Sequence, residues 1–392
     1  MKVVYSCMTS IGASGLGVDS FELVRGLYEK GLLKKGVFYG NRQKEIPRSY
    51  LRIIQIHPMK IFASTPARFY YPLKRIYLDW ITAHIVREGC EIFHGWSTES
   101  ICSLKAAREV GAIGFIERAS PHPLEHRQLL EDEFIIQGIA PPKKKLNSFF
   151  SRVEASRRDL TVGLEEIEIS NYIILESDFT RESFLKKGVS PEKLKVVPRG
   201  VDIQKFKPSI GKKNKFRVLF MGQLCFRKGV HYLLEAWSRL KLKNAELVLA
   251  GGIHDELKEI FNRYKGDETI QHLGFVNDPE TLYRESSLFV FPSIVEGSAK
   301  VTYEAMASGL PVVVSPNAGS VAREGLDGFI VPIRDVNVLM EKIEIFYENH
   351  SLREEMGINA RKWMEQHTWD RHREKMIRVY EEAFQKKNNG SK

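Results

Sequence analysis

Glu296 and Glu304 stand eight residues apart in the run Glu296-Gly-Ser-Ala-Lys-Val-Thr-Tyr-Glu304-Ala-Met-Ala-Ser-Gly309-Leu-Pro311. On one helix they would lie roughly 12 Å apart along the axis. That is too far for an acid and base pair on one bond, so they read as grips on two parts of one elongated ligand. Gly297-Ser298 opens the helix in this reading. Its unpaired backbone N–H groups and positive dipole end suit an anion held between the two carboxylates. A negatively charged ligand with hydroxyl-bearing ends fits, and a sugar nucleotide has that form. Arg227 and Lys228 precede Gly229 on a strand-to-helix turn, where cations neutralise a diphosphate.

These residues need strands to carry them. Val3-Val4-Tyr5-Ser6, Ile53-Ile54-Gln55-Ile56, Ile92-Phe93-His94, Gly114-Phe115-Ile116 and Tyr172-Ile173-Ile174-Leu175 alternate with amphipathic stretches, the pattern of a βα-repeating sheet. A second series, Arg217–Phe220, Glu246–Leu249, Leu288–Phe291 and Val312–Val314, predicts a second parallel sheet. The polar segment 206–215, with Pro208 and Gly211, reads as the linker between them, and the cleft is expected there. Gly138 to Ser148 pairs a breaker with a charge run and reads as a mobile loop, and the tail from Lys386 is expected to fray.

The chain has 392 residues, 43% hydrophobic and 28% charged, enough for two cores. It holds no run of about 18 apolar residues and no signal-peptide start, so a cytoplasmic protein is expected. Cys7, Cys90, Cys102 and Cys225 lack metal or redox spacing and are expected to be reduced thiols. Residues 1–200 hold 30 Lys and Arg against 23 Asp and Glu, net +7, while residues 201–392 hold 29 against 26, net +3. The segment Thr65 to Trp80 mixes aromatics with cations, the composition of a buried aromatic helix face or of contact with a membrane surface or lipid-linked acceptor. Nucleic acid is not an expected partner, because the cations are dispersed and no nucleic-acid module is present.

Glu296 and Glu304, with the Glu-Ala-Met-Ala-Ser-Gly-Leu-Pro-Val-Val that follows, resemble the E-x7-E signature of retaining glycosyltransferases of family 4, which have the GT-B fold. Other pieces follow in the family's order: Gly12-Ala-Ser-Gly15-Leu-Gly17, Pro198-Arg-Gly-Val-Asp202, Gly222-Gln-Leu with Arg227-Lys228-Gly229, Gly251-Gly252, and Asp327-Gly328-Phe-Ile-Val-Pro332. The resemblance spans nearly the whole chain. Its C-terminal half is specific, while its N-terminal half matches mainly in layout.

The resemblance implies two Rossmann-like parallel-sheet domains facing a cleft. Residues 1–205 would bind the acceptor, 206–215 link, 216–367 bind the nucleotide sugar, and 368–392 cross back to the first domain as a helix. It implies that Glu304 accepts hydrogen bonds from the ribose hydroxyls and that Glu296 lies by the donor sugar and the reacting centre. Gly222, Ser298, Ala299, Lys300, Gly12 and Gly15 would contribute to donor binding. His122 matches a family histidine that touches the donor sugar, with His126 as the second choice and His94 behind both. Two positions depart from the pattern. Gln223 stands where many members carry Arg, so Arg227 is expected to replace a diphosphate cation, and Ser298-Ala299-Lys300 stands in a segment where many have Gly-Phe-Gly.

The expected activity is transfer of a sugar from a nucleoside diphosphate donor to a hydroxyl of a glycan, lipid-linked or small-molecule acceptor. It is expected to retain configuration and to need no metal or cofactor, since no Asp-x-Asp occurs. Peripheral contact with the inner membrane face, through the basic and aromatic N-domain surface, fits such an acceptor. A sugar-nucleotide epimerase, a dinucleotide-dependent oxidoreductase and a non-catalytic nucleotide-sugar-binding protein are the alternatives. The oxidoreductase rests only on Gly12, Gly15 and Gly17, whose order is not the dinucleotide fingerprint.

Overall fold

Apolar residues occupy both parities of Val3-Val4-Tyr5, so that strand needs cover on both faces. The computed structural model describes residues 1–54, 67–139, 157–209 and 215–390. The first sheet has strands β1 (Val3–Ile11), β2 (Leu33–Asn41), β3 (Leu51–Ile53), β4 (Ile92–Trp96), β5 (Ile113–Arg118), β6 (Tyr172–Leu175) and β7 (Leu194–Val196). They run parallel in the order β3-β2-β1-β4-β5-β6-β7. Alternate residues of β1 feed different cores. Val3, Tyr5 and Cys7 join Phe115 on one face, and Val4 joins Phe93 and Ile116 on the other.

The second sheet has β8 (Phe216–Met221), β9 (Ala245–Ala250), β10 (Ile270–Gly274), β11 (Leu288–Phe291), β12 (Val312–Val314) and β13 (Gly328–Ile330), parallel in the order β10-β9-β8-β11-β12-β13. Val218, Phe289, Val313, Leu233 and Leu339 lie in its core. The sequence reading missed β2, β7, β10 and β13. Three of these close a sheet edge, where one side needs no apolar cover, and β2 opens with Lys34 and Lys35. Gln55 and Ile56, expected in a strand, lie outside the described residues, as does most of the expected loop at 138–148.

Val201 and Phe206 belong to the second core. The passage between domains therefore falls at Pro198–Val201, ahead of the linker expected at 206–215, of which 210–214 lie outside the described residues. The chain passes back at His367–Trp369. The two passages lie side by side: the Val201 N–H donates to the His367 carbonyl (2.9 Å), and His372 Nδ1 meets the Pro198 carbonyl (2.9 Å). A Cβ on Gly200 would come within 2.6 Å of the Trp369 ring, so only glycine allows this approach. Arg199 Nη2 reaches both oxygens of Asp19 at 2.6 Å, tying the passage to the first helix, Leu16–Glu29. The helix Trp369–Gly390 lays Met376, Ile377, Tyr380 and Ala383 into the first domain's core. It stays helical through Gly390, where fraying from Lys386 was expected.

Each sheet has its strand-order reversal beside its first strand, between β1 and β4 and between β8 and β11. Doubly wound sheets bind ligands at the carboxyl ends of such strands, because the loops there diverge and leave a crevice. In the first sheet β1 pairs with β4 only from Val3 to Ser6, and its pairing with β2 shifts register between Cys7 and Ser10.

Candidate active site

The loops after β8 and β11 meet backbone to backbone. Gly229 has φ +65°, and a Cβ there would stand 1.9 Å from the Pro292 carbonyl oxygen. The Arg227 carbonyl accepts from the Ile294 N–H (2.9 Å), the Val295 N–H (3.2 Å) and the Ser293 hydroxyl (3.0 Å). The turn after β12 holds the other side: Glu296 N–H donates to the Asn317 carbonyl (3.0 Å) and Ala299 N–H to the Ala318 carbonyl (2.9 Å). Strand, turn, helix, glycine stop and next strand follow in the expected order, with one correction. The helix spans Lys300–Ala307, so Gly297 and Ser298 lie in the loop before it and Glu296 is not helical.

This loop brings Glu296 against Arg227 and Lys228, both of which hydrogen-bond its Oε1. Burial alone would raise the Glu296 carboxyl, but the two cations more than reverse this and hold it at about 2. Burial depresses the Lys228 ammonium, with Glu296 opposing, and the ammonium also lies 4.9 Å from the Phe291 ring centroid. Gly222, beside the Lys228 stem, has φ +142°, a conformation that favours glycine. The expected cations and Glu296 are thus one cluster.

Glu304 lies further along the helix, buried, with the Tyr283 hydroxyl donating to its Oε2 (3.0 Å) and Lys300 paired to its Oε1 (3.1 Å). Lys300, expected near phosphate or sugar, therefore serves Glu304. Ser298 Oγ donates to the Tyr303 hydroxyl at 3.0 Å. Gly12 and Gly15 have φ +79° and +72°, and the Gly12 N–H closes a turn on the Gly17 carbonyl (2.8 Å) after β1. Gly251 packs on Gly222, whose carbonyl a Cβ would approach to 1.9 Å, and Asp327 is spent on Arg323.

The first domain closes the site. A Cβ on Gly297 would stand 2.2 Å from the Ala119 carbonyl oxygen, and Ser177 Oγ donates to the Gly297 carbonyl at 2.5 Å. His122 caps the helix Pro123–Ile136, its Nδ1 accepting from the Leu124 N–H (3.3 Å), with its ring against Phe184. Burial, then Arg118 and Lys187, push it down to about 4. His126, one turn on, is the imidazole within electrostatic reach of Arg227 and Glu296. Burial and the cations push it down to about 3, and its buried Nε2 has no hydrogen-bond partner. His94 is fully buried between Tyr380 and Glu117, away from the motif.

A second contact between domains left no motif to find. Glu133 is buried and meets His231 (2.8 Å), the Tyr232 hydroxyl (2.8 Å) and Arg334 (2.7 Å). Burial would raise its carboxyl, but these donors hold it at about 2. A cavity of about 1240 Å³, lined by Phe216, Pro311 and Arg353 among others, lies at the amino ends of β8 and β12, remote from this chemistry. Doubly wound sheets do not use that end for ligands.

Residues 202–363 match the family model of glycosyl transferases group 1. The chain is 30% identical over 161 residues to a capsular polysaccharide biosynthesis glycosyltransferase of Staphylococcus aureus, covering 39% of this chain and 42% of that one. It is 28% identical over 169 residues to UDP-Gal:alpha-D-GlcNAc-diphosphoundecaprenol alpha-1,3-galactosyltransferase of Escherichia coli, covering 38% and 44%. The chain spans less than half the length of these curated relatives in the match. Its fold is that of sucrose-phosphate synthase from Thermosynechococcus elongatus (TM-score 0.72, 17% identity, 98% and 99% of the two chains). Anabaena HepE in complex with UDP-glucose is also similar (TM-score 0.69, 17% identity, 97% and 100%). The chain thus has the GT-B fold of two parallel-sheet domains, and its residues 202–363 match the glycosyl transferases group 1 model.

Proposed function

We propose that the chain is a retaining, metal-independent glycosyltransferase that moves a sugar from a nucleoside diphosphate sugar to a hydroxyl of a glycan, lipid-linked or small-molecule acceptor. The cluster of Glu296, Arg227 and Lys228 at the second sheet's order reversal carries this reading, with His126 facing it. The diphosphate competes with Glu296 for the two cations, so donor binding frees the carboxylate towards the sugar, where positive charge develops. Arg227, Lys228 and the helix N-terminus at Lys300 stabilise the leaving group. The acceptor attacks from the side the leaving group departs, and its proton passes to a phosphate oxygen. Contact of Ala119 and Ser177 with Gly297 excludes water from the donor. Glu304 holds the ribose.

The Escherichia coli relative, with its UDP-Gal donor and diphosphoundecaprenol-linked acceptor, and HepE with bound UDP-glucose support a uridine diphosphate sugar as donor and a lipid-linked diphosphate sugar as acceptor. No described helix is long and apolar enough to cross a membrane. Leu73, Ile76 and Trp80, at helical spacing on Ala67–Arg87, are 39%, 40% and 54% exposed. This stripe supports a cytoplasmic protein resting on the inner membrane face.

A thermal-shift screen of sugar nucleotides, followed by mass spectrometry of products, tests the reading. Transfer that persists in excess chelator and yields the donor's own anomeric configuration supports it. Activity lost in chelator and restored by Mg²⁺ overturns the metal-independent part, and donor interconversion without acceptor assigns an epimerase instead.

A further inference from the structure

The helix Pro123–Ile136 is held by the first domain at one end and by the second at the other. Its start is tied to its own domain: the His122 N–H donates to Ser183 Oγ (2.8 Å), and Glu125 pairs with Lys187 (3.2 Å). Further along, Leu129 packs on the second domain's core and Phe134 lies in it, its ring edge-on to Phe226 with 5.4 Å between centroids. Apolar contacts are non-directional and set no register.

Glu133 supplies the direction. Its Oε1 accepts from the Tyr232 hydroxyl (2.8 Å) and Gln137 Nε2 (3.1 Å) and meets His231 Nε2 (2.8 Å), while its Oε2 accepts from Arg334 Nε (2.7 Å). Arg334 Nη2 also donates to the Leu129 carbonyl one turn back (3.2 Å), so one cation clasps the helix at two points. It does so from φ +67°, an uncommon conformation for a residue with a side chain. The buried Nδ1 of His231 has no partner, so the bond to Glu133 is the one hydrogen bond that orients this imidazole. Desolvation offsets much of what a buried, paired charge gains, and the directional bonds leave one relative placement of the two helices.

That placement bears on the donor cluster from both sides. His126 and Glu133 are seven residues apart, about two turns and roughly 10 Å along one face of their helix. His231 and Tyr232 open the helix Val230–Leu240, directly after Arg227, Lys228 and Gly229. Gly229, seated against the Pro292 carbonyl, passes the placement on to the two cations. His126 in turn presents a buried, unpartnered Nε2 within electrostatic reach of Arg227 and Glu296. Resting on the glycosyltransferase reading, we infer that Glu133 is a positioning residue for transfer: it fastens the helix Pro123–Ile136 to the second domain in the one register that holds His126 against Glu296, Arg227 and Lys228.

The test follows kcat and the His126 imidazole signal in NMR spectra of the full chain, the signal being assigned by its loss in His126→Gln. Without any ligand, Glu296→Gln should shift that signal in an otherwise wild-type chain, because the two side chains are electrostatically coupled. In a Glu133→Ala background the same substitution should barely move it. At saturating donor Glu133→Ala should lower kcat by about tenfold or more, as small misplacements of reacting groups do, while UDP affinity in calorimetry stays within about threefold because both cations remain. Glu133→Gln keeps an acceptor for Tyr232 and His231 and should recover most of the loss in both readouts. If Glu133→Ala does not fold, Arg334→Asn carries the same test, since Asn accepts a positive φ and the loss of both clasping bonds should act in the same direction. A folded variant that melts lower yet keeps its kcat, or keeps the coupling of His126 to Glu296, overturns the inference and leaves Glu133 as structural support. Failure of the wild type to bind UDP or to transfer sugar would instead strike the glycosyltransferase reading, and the ligand-free coupling would still decide the placement.

Discussion

The two walls of the cleft treat their carboxylates in opposite ways. In the second domain Glu296 lies between Arg227 and Lys228 and is held at about 2, charged at any working pH. In the first, burial pushes Glu99 up to about 7, with one oxygen committed to the Met8 N–H. Cations fix the charge of the first, while burial, only partly offset by the Met8 N–H, leaves the second responsive to protons. The second-domain wall comes from two short runs of sequence, residues 222–229 and 292–304. The first-domain wall draws on scattered residues such as Met8, Glu99, Arg118 and His126, with no shared motif.

The largest effect that would break this comparison is on turnover. Glu296→Gln should lower kcat by about 10²-fold or more, because a group at the developing charge acts mainly in the transition state. Nucleoside diphosphate affinity should hold or rise, since Arg227 and Lys228 lose their internal partner. A pure KM effect in steady-state kinetics would make the cluster a binding device only.

Next in size is the diphosphate itself. Replacing Arg227 and Lys228 by Ala removes charge-assisted bonds worth roughly 1.5–3 kcal/mol each, so calorimetry should show nucleoside diphosphate binding weakened ~10²-fold. A folding check must come first, because Glu296 is left buried without its cations. Unchanged affinity in a folded variant would place the diphosphate elsewhere. Glu304→Ala should act more gently, raising donor KM about tenfold with kcat nearly kept, as loss of uniform binding does. A fall in kcat of the same factor would assign it to the reacting centre.

The smallest effect is on stability against pH, and its sign differs between the walls. Glu296 and Glu133 lie below the unfolded carboxyl value of about 4.3. Their stabilisation is present above that value and lost as pH falls towards about 2. Glu99 lies above it, so its contribution is complete below about 4.3 and lost as pH rises through about 7. The groups facing Glu99 are Lys74, Arg75 and Asp79 from its covering helix, Cys7 from β1 and Glu166, itself raised to about 8. Thermal melts should show Glu133→Gln flattening the acid limb and Glu99→Gln the limb between about pH 4.3 and 7, each by about a degree or two per half kcal/mol. Parallel limbs in wild type and both variants would erase the contrast.

What the sequence disclosed follows the same divide. Glu296, Arg227, Lys228 and the strand-turn-helix order were legible because each sits in a short run, 222–229 or 292–304, whose residue types and order carry their own signal. The environments of His122 and His126 were not, since only packing shows that His122 caps its helix while His126 feels Arg227 and Glu296. Glu133, with partners about 100 and 200 residues away, and Glu99, which repairs a gap between strands, have no local signal at all. Edge strands escaped for a related reason: without cover on both faces they carry no continuous apolar run.

The paired passages at Pro198–Val201 and His367–Trp369 have a mechanical consequence. Bodies joined by one strand can twist, bend and swing about it. Joined by two adjacent strands that bond to each other, with Gly200 seated on Trp369 and Arg199 anchored to Asp19, they keep essentially one free rotation, about the line between the attachments. Any opening and closing of the domains would then retrace a single arc. Gly297 returns to Ala119 in the same register each time, so the two walls need no guidance from the ligand to find their alignment.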